Sequence, residues 1–458
     1  MAFGHTLNMY DVILPFKLFK GNKLTILAVL AVAVSVFTVI VVMTVMNGLT
    51  IDFIEKNHGF YSDCIVSTDS LVGFADYNEF STIVKSQDYV QAASVVINSF
   101  GLVQSGTSGK NAALSLMGFN PKDHFKTTDF TKSLYYRKDE PNLVFLTSYN
   151  SELPACVIGI DLIEFRDEWG NYNQWDFLPR RSYEITCFPL TPKGTIVKTG
   201  TAVAANTKTY YQSDSSNTSI AKVDGTTVYL PFNELQTLTG MDIEPKRTSA
   251  IYIKFKKGFN NNRSVEKITA LWKDFIAAKT DSLGANLFKN VNVQDFKSYK
   301  RDTIAPMEKE RAMMLLLFLM VGLITVFIIF VIFYMIIGRK NKDIGILKSI
   351  GASMFGIMLV FLRYAVLIGI VGSAIGIAAA LIFLDNVNDL EHLLYDKFGF
   401  QMWNREIYAI GEIPNRTGVA LPLEVAAAAV IACLLGACWP TIKAARQNCV
   451  DILRVNNI

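Results

Sequence analysis

Two stretches of this sequence carry residue types suited to phosphate or acyl chemistry, and each lacks part of what that chemistry needs. Gly109-Lys110-Asn111 sets a lysine after a glycine, as a phosphate-cradling loop does. It has no second glycine upstream at the required spacing and no hydroxyl after the lysine. Gly106-Thr107-Ser108-Gly109 puts a serine between glycines, one residue short of the sharp turn that lifts a nucleophilic serine above a sheet. No His-Glu-x-x-His occurs, and His5, His58, His124 and His392 are too scattered to imply a metal site. Cys64, Cys156 and Cys187 fall at irregular intervals in one polar region, Cys433 and Cys438 in an apolar run, and Cys449 beyond it. That is no secreted-domain disulfide framework, and whether any of the first three pair stays open. No catalytic residue is assigned. The chain is expected to hydrolyse nothing and to hold no metal or cofactor of its own.

The elements that would position any function are four long apolar runs. Leu24–Met46, Ala312–Gly338, Tyr364–Leu384 and Val425–Trp439 are free of charge. At about 1.5 Å per residue the first alone outreaches a hydrocarbon core of about 30 Å. It is too long for the apolar core of a cleaved signal peptide, and no small-residue cleavage site closes it. The fold class is therefore a membrane protein of four transmembrane α-helices, with a large mixed α/β extracytoplasmic domain inserted between helices 1 and 2. The boundaries are 1–23 for an N-terminal interfacial segment, 24–48 for the first span and 49–308 for the external domain. They continue with 309–338 for the second span, 339–353 for a cytoplasmic connector and 354–384 for the third span. The last three are 385–421 for an outer loop, 422–442 for the fourth span and 443–458 for a tail. Within the first segment, Tyr10–Lys20 mixes apolar residues with Lys17 and Lys20, which suits either a helix on the lipid surface or a frayed start to the span. A hydrophobic fraction of 51% is low for a protein buried wholly in lipid, as a large polar insert requires, and a net charge of +4 is too small at this size to indicate nucleic acid.

Orientation follows from Lys and Arg near the span ends. Lys17, Lys20 and Lys23 precede the first run, Arg339, Lys340, Lys342 and Lys348 follow the second, and Lys443, Arg446 and Arg454 follow the fourth. The loop 385–421 holds six acids against three bases. Both termini and the connector are expected in the cytoplasm. Lys309 and Arg311 stand at the outer end of the second span, just before its uncharged run, against this trend, beside a long translocated region where the rule is weak. Ionisable groups within the spans are confined to their ends, Arg363 and Glu424. An ion-coupled transporter keeps carboxylates or His at mid-depth, so the energy must come from a partner.

The polar region reads as mixed α/β. Tyr89–Ile97, Leu143–Leu146, Tyr183–Phe188, Thr227–Leu230 and Ala250–Phe255 have the β-branched and aromatic content of strands, and Val265–Ala278 has a helical apolar face. Lys208–Asn217, polar and Ser-rich, reads as an exposed loop. In the third span, Gly372 and Gly376 with Ala380 have the spacing that lets helices approach closely in lipid.

The segment Gly338–Ser353 sets Ile344, Leu347 and Ile350 at helical spacing among charges and closes at Gly351. By pattern it is either an interfacial connector or a docking helix. It resembles the coupling helix of the MacB/FtsX-like ABC permeases: basic residues, an acid, then Ile-Leu-Lys, two residues and Gly-Ala. Val45-Met46-Asn47-Gly48-Leu49 resembles the end of the first span in the lipoprotein-releasing (Lol type, LolC/LolE-like) permeases. Gln294-Asp295-Phe296, Met307-Glu308-Lys309 and Met313-Met314 resemble their approach to the second span. Ile407-Tyr408 with Glu412-Ile413-Pro414, and Pro440 with Ala444-Ala445-Arg446 and Asp451–Arg454, resemble their outer-loop and C-terminal motifs. Leu49 and Asp451 depart from the usual Phe and Glu.

The resemblance implies a half-transporter that pairs with a second permease, identical or homologous, and with a cytoplasmic ABC ATPase dimer that binds ATP and Mg. The complex would extract lipoproteins from the inner membrane and pass them to a periplasmic lipoprotein carrier. The alternative is a relative that transmits force for efflux or cell-wall hydrolase control. A membrane-anchored receptor without an ATPase would need no coupling helix. Under this resemblance Asp343, Ile344, Leu347, Lys348 and Gly351 couple to the ATPase. Val39, Val42, Met43 and Met46 with Met313, Leu316, Leu317 and Met320 would line an acyl-chain cavity open to membrane lipid, with Val430 of the fourth span facing lipid outside it. The loop Pro189–Val197, with Pro189, Thr191, Pro192 and Gly194, resembles a projecting hook and would bind the carrier.

Overall fold

The structure is a computed structural model that describes residues 23–446 apart from 107–108, 168, 173–176, 201, 280–286, 289, 350 and 400–417. The Tyr10–Lys20 segment, Ile350, the Ile407–Pro414 motif, and the tail beyond 446 with Cys449 and Asp451–Arg454 lie outside the described residues.

In chain order, α1 (Lys23–Tyr61) leads to β1 (Cys64–Thr68), α2 (Tyr77–Lys85), β2 (Val90–Ser105) and β3 (Asn111–Phe119). There follow β4 (Ala155–Gly159), β5 (Ser182–Cys187), β6 (Asn206–Ser216), β7 (Thr227–Pro231), β8 (Ala250–Phe255), α3 (Asn261–Ala278) and β9 (Val291–Asp295). The chain continues with α4 (Arg301–Arg339), α5 (Asn341–Ser349), α6 (Met354–Asp385), α7 (Val387–Phe398) and α8 (Ala420–Arg446). Two compact units result. One takes the described residues up to Thr50 and from Pro306 onward, and the other takes Ile51–Ala305.

In the first unit α1, α4, α6 and α8 are long and apolar enough to cross a membrane. Helices are what such sequences must form there, because lipid offers no partner for a free backbone N–H or C=O. Ala28, Val32, Val36 and Ile40, every fourth residue of α1, are buried against Ile329 and Phe333 of α4, Ile368 of α6 and Ala437 of α8. The seams are built on small residues. A Cβ on Gly372 would lie 2.8 Å from Val32 Cβ, and one on Gly436 would lie 2.6 Å from the Val326 carbonyl oxygen. Thus Gly372 and Gly376 sit on the α6 face that meets α1, as their spacing predicts. Hydroxyl pairs add polar ties between helices, Ser35 with Thr325 at 2.7 Å and Thr25 with Tyr364 at 2.5 Å. Val430 is half-buried, not fully open to lipid. It packs on Gly369, whose hypothetical Cβ would lie 3.0 Å from the Val430 Cα, while Ile431 and Leu435 are the exposed residues of that turn.

The second unit is built on a nine-stranded sheet ordered β9-β1-β8-β2-β3-β7-β4-β6-β5, with a further pairing of β5 to β2 that closes the last six strands into a ring; two short two-strand ribbons, Phe74–Ala75 with Arg247–Thr248 and Lys198–Thr199 with Ala202–Val203, lie outside it. β3 and β7 run parallel, as do β4 and β6, and the remaining pairs are antiparallel. On the open part of the sheet α2 and α3 bury Phe80, Trp272 and Phe275. The ring encloses its own core, including Val103, Leu116, Ile158, Ile185 and Tyr210. Cys64, Cys156 and Cys187 are buried free thiols.

Two expectations about this unit are corrected. Leu143–Leu146 is no strand: a short 3-10 turn at Pro141–Leu143 satisfies the backbone locally, with the Val144 N–H donating to the Pro141 carbonyl. Lys208–Asn217 is no exposed loop. It lies almost wholly in β6, and Gln212–Ser216 are buried. Asp214 and Ser213 find partners inside the protein, whereas the Gln212 side-chain amide has none among the described residues. The Asp214 carboxylate accepts from the N–H groups of Tyr136 (2.8 Å), Arg137 (2.9 Å) and Ser215 (2.7 Å), and Ser213 Oγ donates to the Cys156 carbonyl at 3.1 Å.

Candidate functional site

The connector α5 begins two residues after α4 ends and is held down on one side. Ile344 is buried among Ile337, Ile357, Phe361 and Ala444, from α4, α6 and α8. Lys348 Nζ donates to the Ala445 carbonyl at 2.8 Å, tying α5 to the end of α8. Gly351, at φ +95°, ends the turn, where the N–H groups of Gly351 and Ala352 return to the carbonyls of Lys348 and Leu347. Ser353 then caps α6 by accepting from the Gly356 N–H at 3.1 Å. Of the residues assigned to coupling, Ile344 therefore points inward, Leu347 and Lys348 are half-buried, and Asp343 is exposed with Lys340 Nζ 2.8 Å away. The apolar residue on the open face is Ile346, 52% exposed. The resemblance implies Ile344 and Leu347 as docking anchors, and helical spacing, which names a face without saying what covers it, does not separate them from Ile346.

A narrow crevice lies between α1 and α4, lined by Met43, Met46, Asn47 and Thr50 on one side and Arg311, Met314 and Phe318 on the other. Met43 and Met46 are residues the sequence assigns to an acyl cavity. Val39 and Val42 are half-buried but outside this lining, and Met313, Leu316, Leu317 and Met320 are exposed on another face of α4. Met314 and Phe318, one turn apart with Arg311 one turn before, are the α4 residues that meet α1 here. Their phase differs by one residue from the set read off the sequence.

In the second unit Pro189–Val197 folds as a tight hairpin. Leu190 and Ile196 bridge, the Thr191 N–H donates to the Thr195 carbonyl at 2.9 Å, and Gly194 turns at φ +80°. Pro189 is buried, Thr191 and Pro192 are half-buried, and Lys193 to Ile196 are exposed. The base is fixed by Arg247, a fully buried side chain that the sequence does not single out. Its Nη1 donates to the Val72 carbonyl (3.0 Å) and its Nη2 to those of Leu190 (2.9 Å) and Gly240 (2.5 Å). Only its distance in sequence, beyond any local motif, hides it. Among the described residues no three His, Cys, Asp or Glu side chains gather where they could hold a metal.

Residues 315–449 match the family of FtsX-like permease C-terminal domains. The chain is similar to the lipoprotein-releasing system transmembrane protein LolC of Xylella fastidiosa, 26% identical over 120 residues that cover 26% of this chain and 29% of that protein. It is also similar to LolC of Neisseria meningitidis, 22% identical over 168 residues, covering 35% and 39%. The matched segments thus span well under half the length of these curated relatives. A solved structure, the periplasmic region of MacB from Actinobacillus actinomycetemcomitans, aligns at TM-score 0.29 and 10% identity, covering 54% of this chain and 94% of that one. The chain is a multi-pass membrane protein whose residues 315–449 match the FtsX-like permease C-terminal family and which is similar over about a quarter to a third of its length to LolC proteins.

Proposed function

We propose that this chain is the permease subunit of an inner-membrane ABC complex that draws lipoproteins out of the bilayer and passes them to a periplasmic carrier. A separate ATPase dimer, with its own ATP and Mg, supplies the energy, and a second permease completes the pathway. The basic segments before α1, at α5 and after α8 support a cytoplasmic side for both termini and an extracytoplasmic side for the α/β unit. On that reading residues 1–23 and 443–458 are cytoplasmic, 49–308 and 385–421 are external, and 339–353 couples to the ATPase.

The lipoprotein reading rests on the similarity to LolC, and the closed crevice of Met43, Met46, Met314 and Phe318, which must widen to admit a chain, is its entry point in this proposal. Unbranched, polarisable methionines suit varied acyl chains, which can enter from lipid without crossing water. α5 supports the ATPase: it is fixed on the Ile344 side and free on the Asp343 and Ile346 side, so a push on the free side reaches α4, α6 and α8 together. The Pro189–Val197 hairpin, with Thr191, Pro192 and Gly194, suits the carrier because its backbone is ordered before docking.

A photo-crosslinker at Met43 should capture a triacylated lipoprotein, with less product after ATP is added. The control is Leu435, which is 62% exposed on α8. Equal yields at the two positions would overturn lipoprotein extraction in favour of a force-transmitting permease.

A further inference from the structure

β9 is the edge of the sheet. Its ladder to β1 is complete from Thr68↔Val291 to Cys64↔Asp295, and no other described strand meets it. An edge strand carries a row of backbone N–H and C=O groups without partners, a template for one more strand. Beside it runs a groove of ≈ 610 Å³, with Val291–Gln294 as one wall and Thr269, Trp272, Lys273 and Ile276 of α3 as the other. Trp272 is 3% exposed, lines the groove, and has no acceptor for its indole N–H among the described residues. Among the described residues the lining holds one cation, Lys273, and no carboxylate.

We propose that this groove binds an extended segment of another polypeptide, which joins the sheet as a strand beside β9. An apolar side chain of the segment lies over Trp272 and Ile276, and an acidic residue meets Lys273. A groove between an edge strand and a helix is a recurring geometry of strand addition, in which the main chain supplies affinity and alternate side chains supply specificity. A helix would not serve, because its own N–H and C=O groups are already paired and the edge of β9 would stay open. The site is independent of the crevice, α5 and the hairpin, and goes beyond the transport reading.

The test uses the full-length protein in lipid nanodiscs, panned against a random dodecapeptide library, with recovered peptides labelled with fluorescein and titrated by anisotropy. Recovered sequences should alternate apolar and polar residues and carry an acid. N-methylation of alternate peptide amides should weaken binding by about tenfold or more on one edge only, since a strand pairs through one edge. Lys273→Glu, at an exposed position, should reverse the preference from acidic to basic peptides. The proposal is overturned if no peptide is recovered, if N-methylation leaves affinity unchanged, if bound peptides become helical by circular dichroism, or if Lys273→Glu does not alter selection.

Discussion

Gly376 of α6 faces Ala33 of α1 so closely that a Cβ added to the glycine would lie 2.6 Å from the Ala33 carbonyl oxygen. Backbone cannot yield as a flexible side chain can, so two spans must part if the position is enlarged. Gly376→Leu should destabilise the membrane unit by roughly 1–3 kcal/mol or more, read as a lower melting temperature in detergent. Gly338→Ala is the matched control, since nothing lies within 4 Å of its hypothetical Cβ. An unchanged melting temperature in Gly376→Leu would refute this seam.

The two faces of α5 separate folding from coupling. Ile344→Asp buries a carboxylate among Ile337, Ile357 and Phe361 and should cost several kcal/mol, read as lost detergent stability. Ile346→Asp changes an exposed residue and should leave melting within about 0.5 kcal/mol of the parent. Under the proposed function it should nonetheless impair ATPase docking. Normal coupling in Ile346→Asp would remove that face from the interface.

Burial pushes the Asp224 carboxyl up to about 6, against the bonds it accepts from the Thr218 N–H and Oγ, both 2.8 Å. The folded state therefore holds this proton more tightly than the unfolded chain, whose pKa is near 3.9. The favourable contribution is full below about pH 4 and is lost as pH rises through about 6. Asp224→Asn keeps the acceptor and cannot ionise. Its stability relative to the parent should rise between pH 4 and pH 7 by about 3 kcal/mol, because each tenfold difference in proton affinity is worth about 1.4 kcal/mol. A difference that stays flat with pH would contradict the assignment.

Arg247 joins three carbonyls that lie far apart in sequence: Val72, Leu190 and Gly240. Arg247→Met should release the Pro189–Val197 hairpin and cost about 3 kcal/mol, typical of hydrogen bonds to a buried charged donor. Amide hydrogen exchange at Thr191, Gly194 and Val197 should quicken while α6 keeps its protection. Unaltered exchange at these amides would show that the turn holds without the guanidinium.

What is legible in the sequence is whatever a local period encodes. The four spans, the strand Ala250–Phe255 and the buried face of α3 follow from apolar spacing alone. The errors fall where tertiary partners decide. Gln212–Ser216 is polar enough to read as loop, yet it is buried strand because Asp214 and Ser213 meet backbone groups from Tyr135–Arg137 and Cys156. At the candidate site the sequence points to Met43 and Met46 but to the wrong phase on α4 for the crevice, naming Met313 and Leu317 where Met314 and Phe318 stand. On an all-apolar helix no polar face marks the phase. Arg247 has no local signature, since its three acceptors come from separate turns.

β2 belongs to two structures at once. Its first half pairs with β8 in the open sheet, its second half pairs with β5 to close the ring, and β3 spans the middle from the other side. One unbroken strand thus acts as a common beam. The ring cannot swivel against the sheet unless the ladder of β2 tears, which leaves no hinge between them. The same feature sets where chimeras with related permeases can be cut. A graft that exchanges the ring must carry β2 whole, with joints before Val90 and after Ser249, or it will sever the strand on which both halves depend.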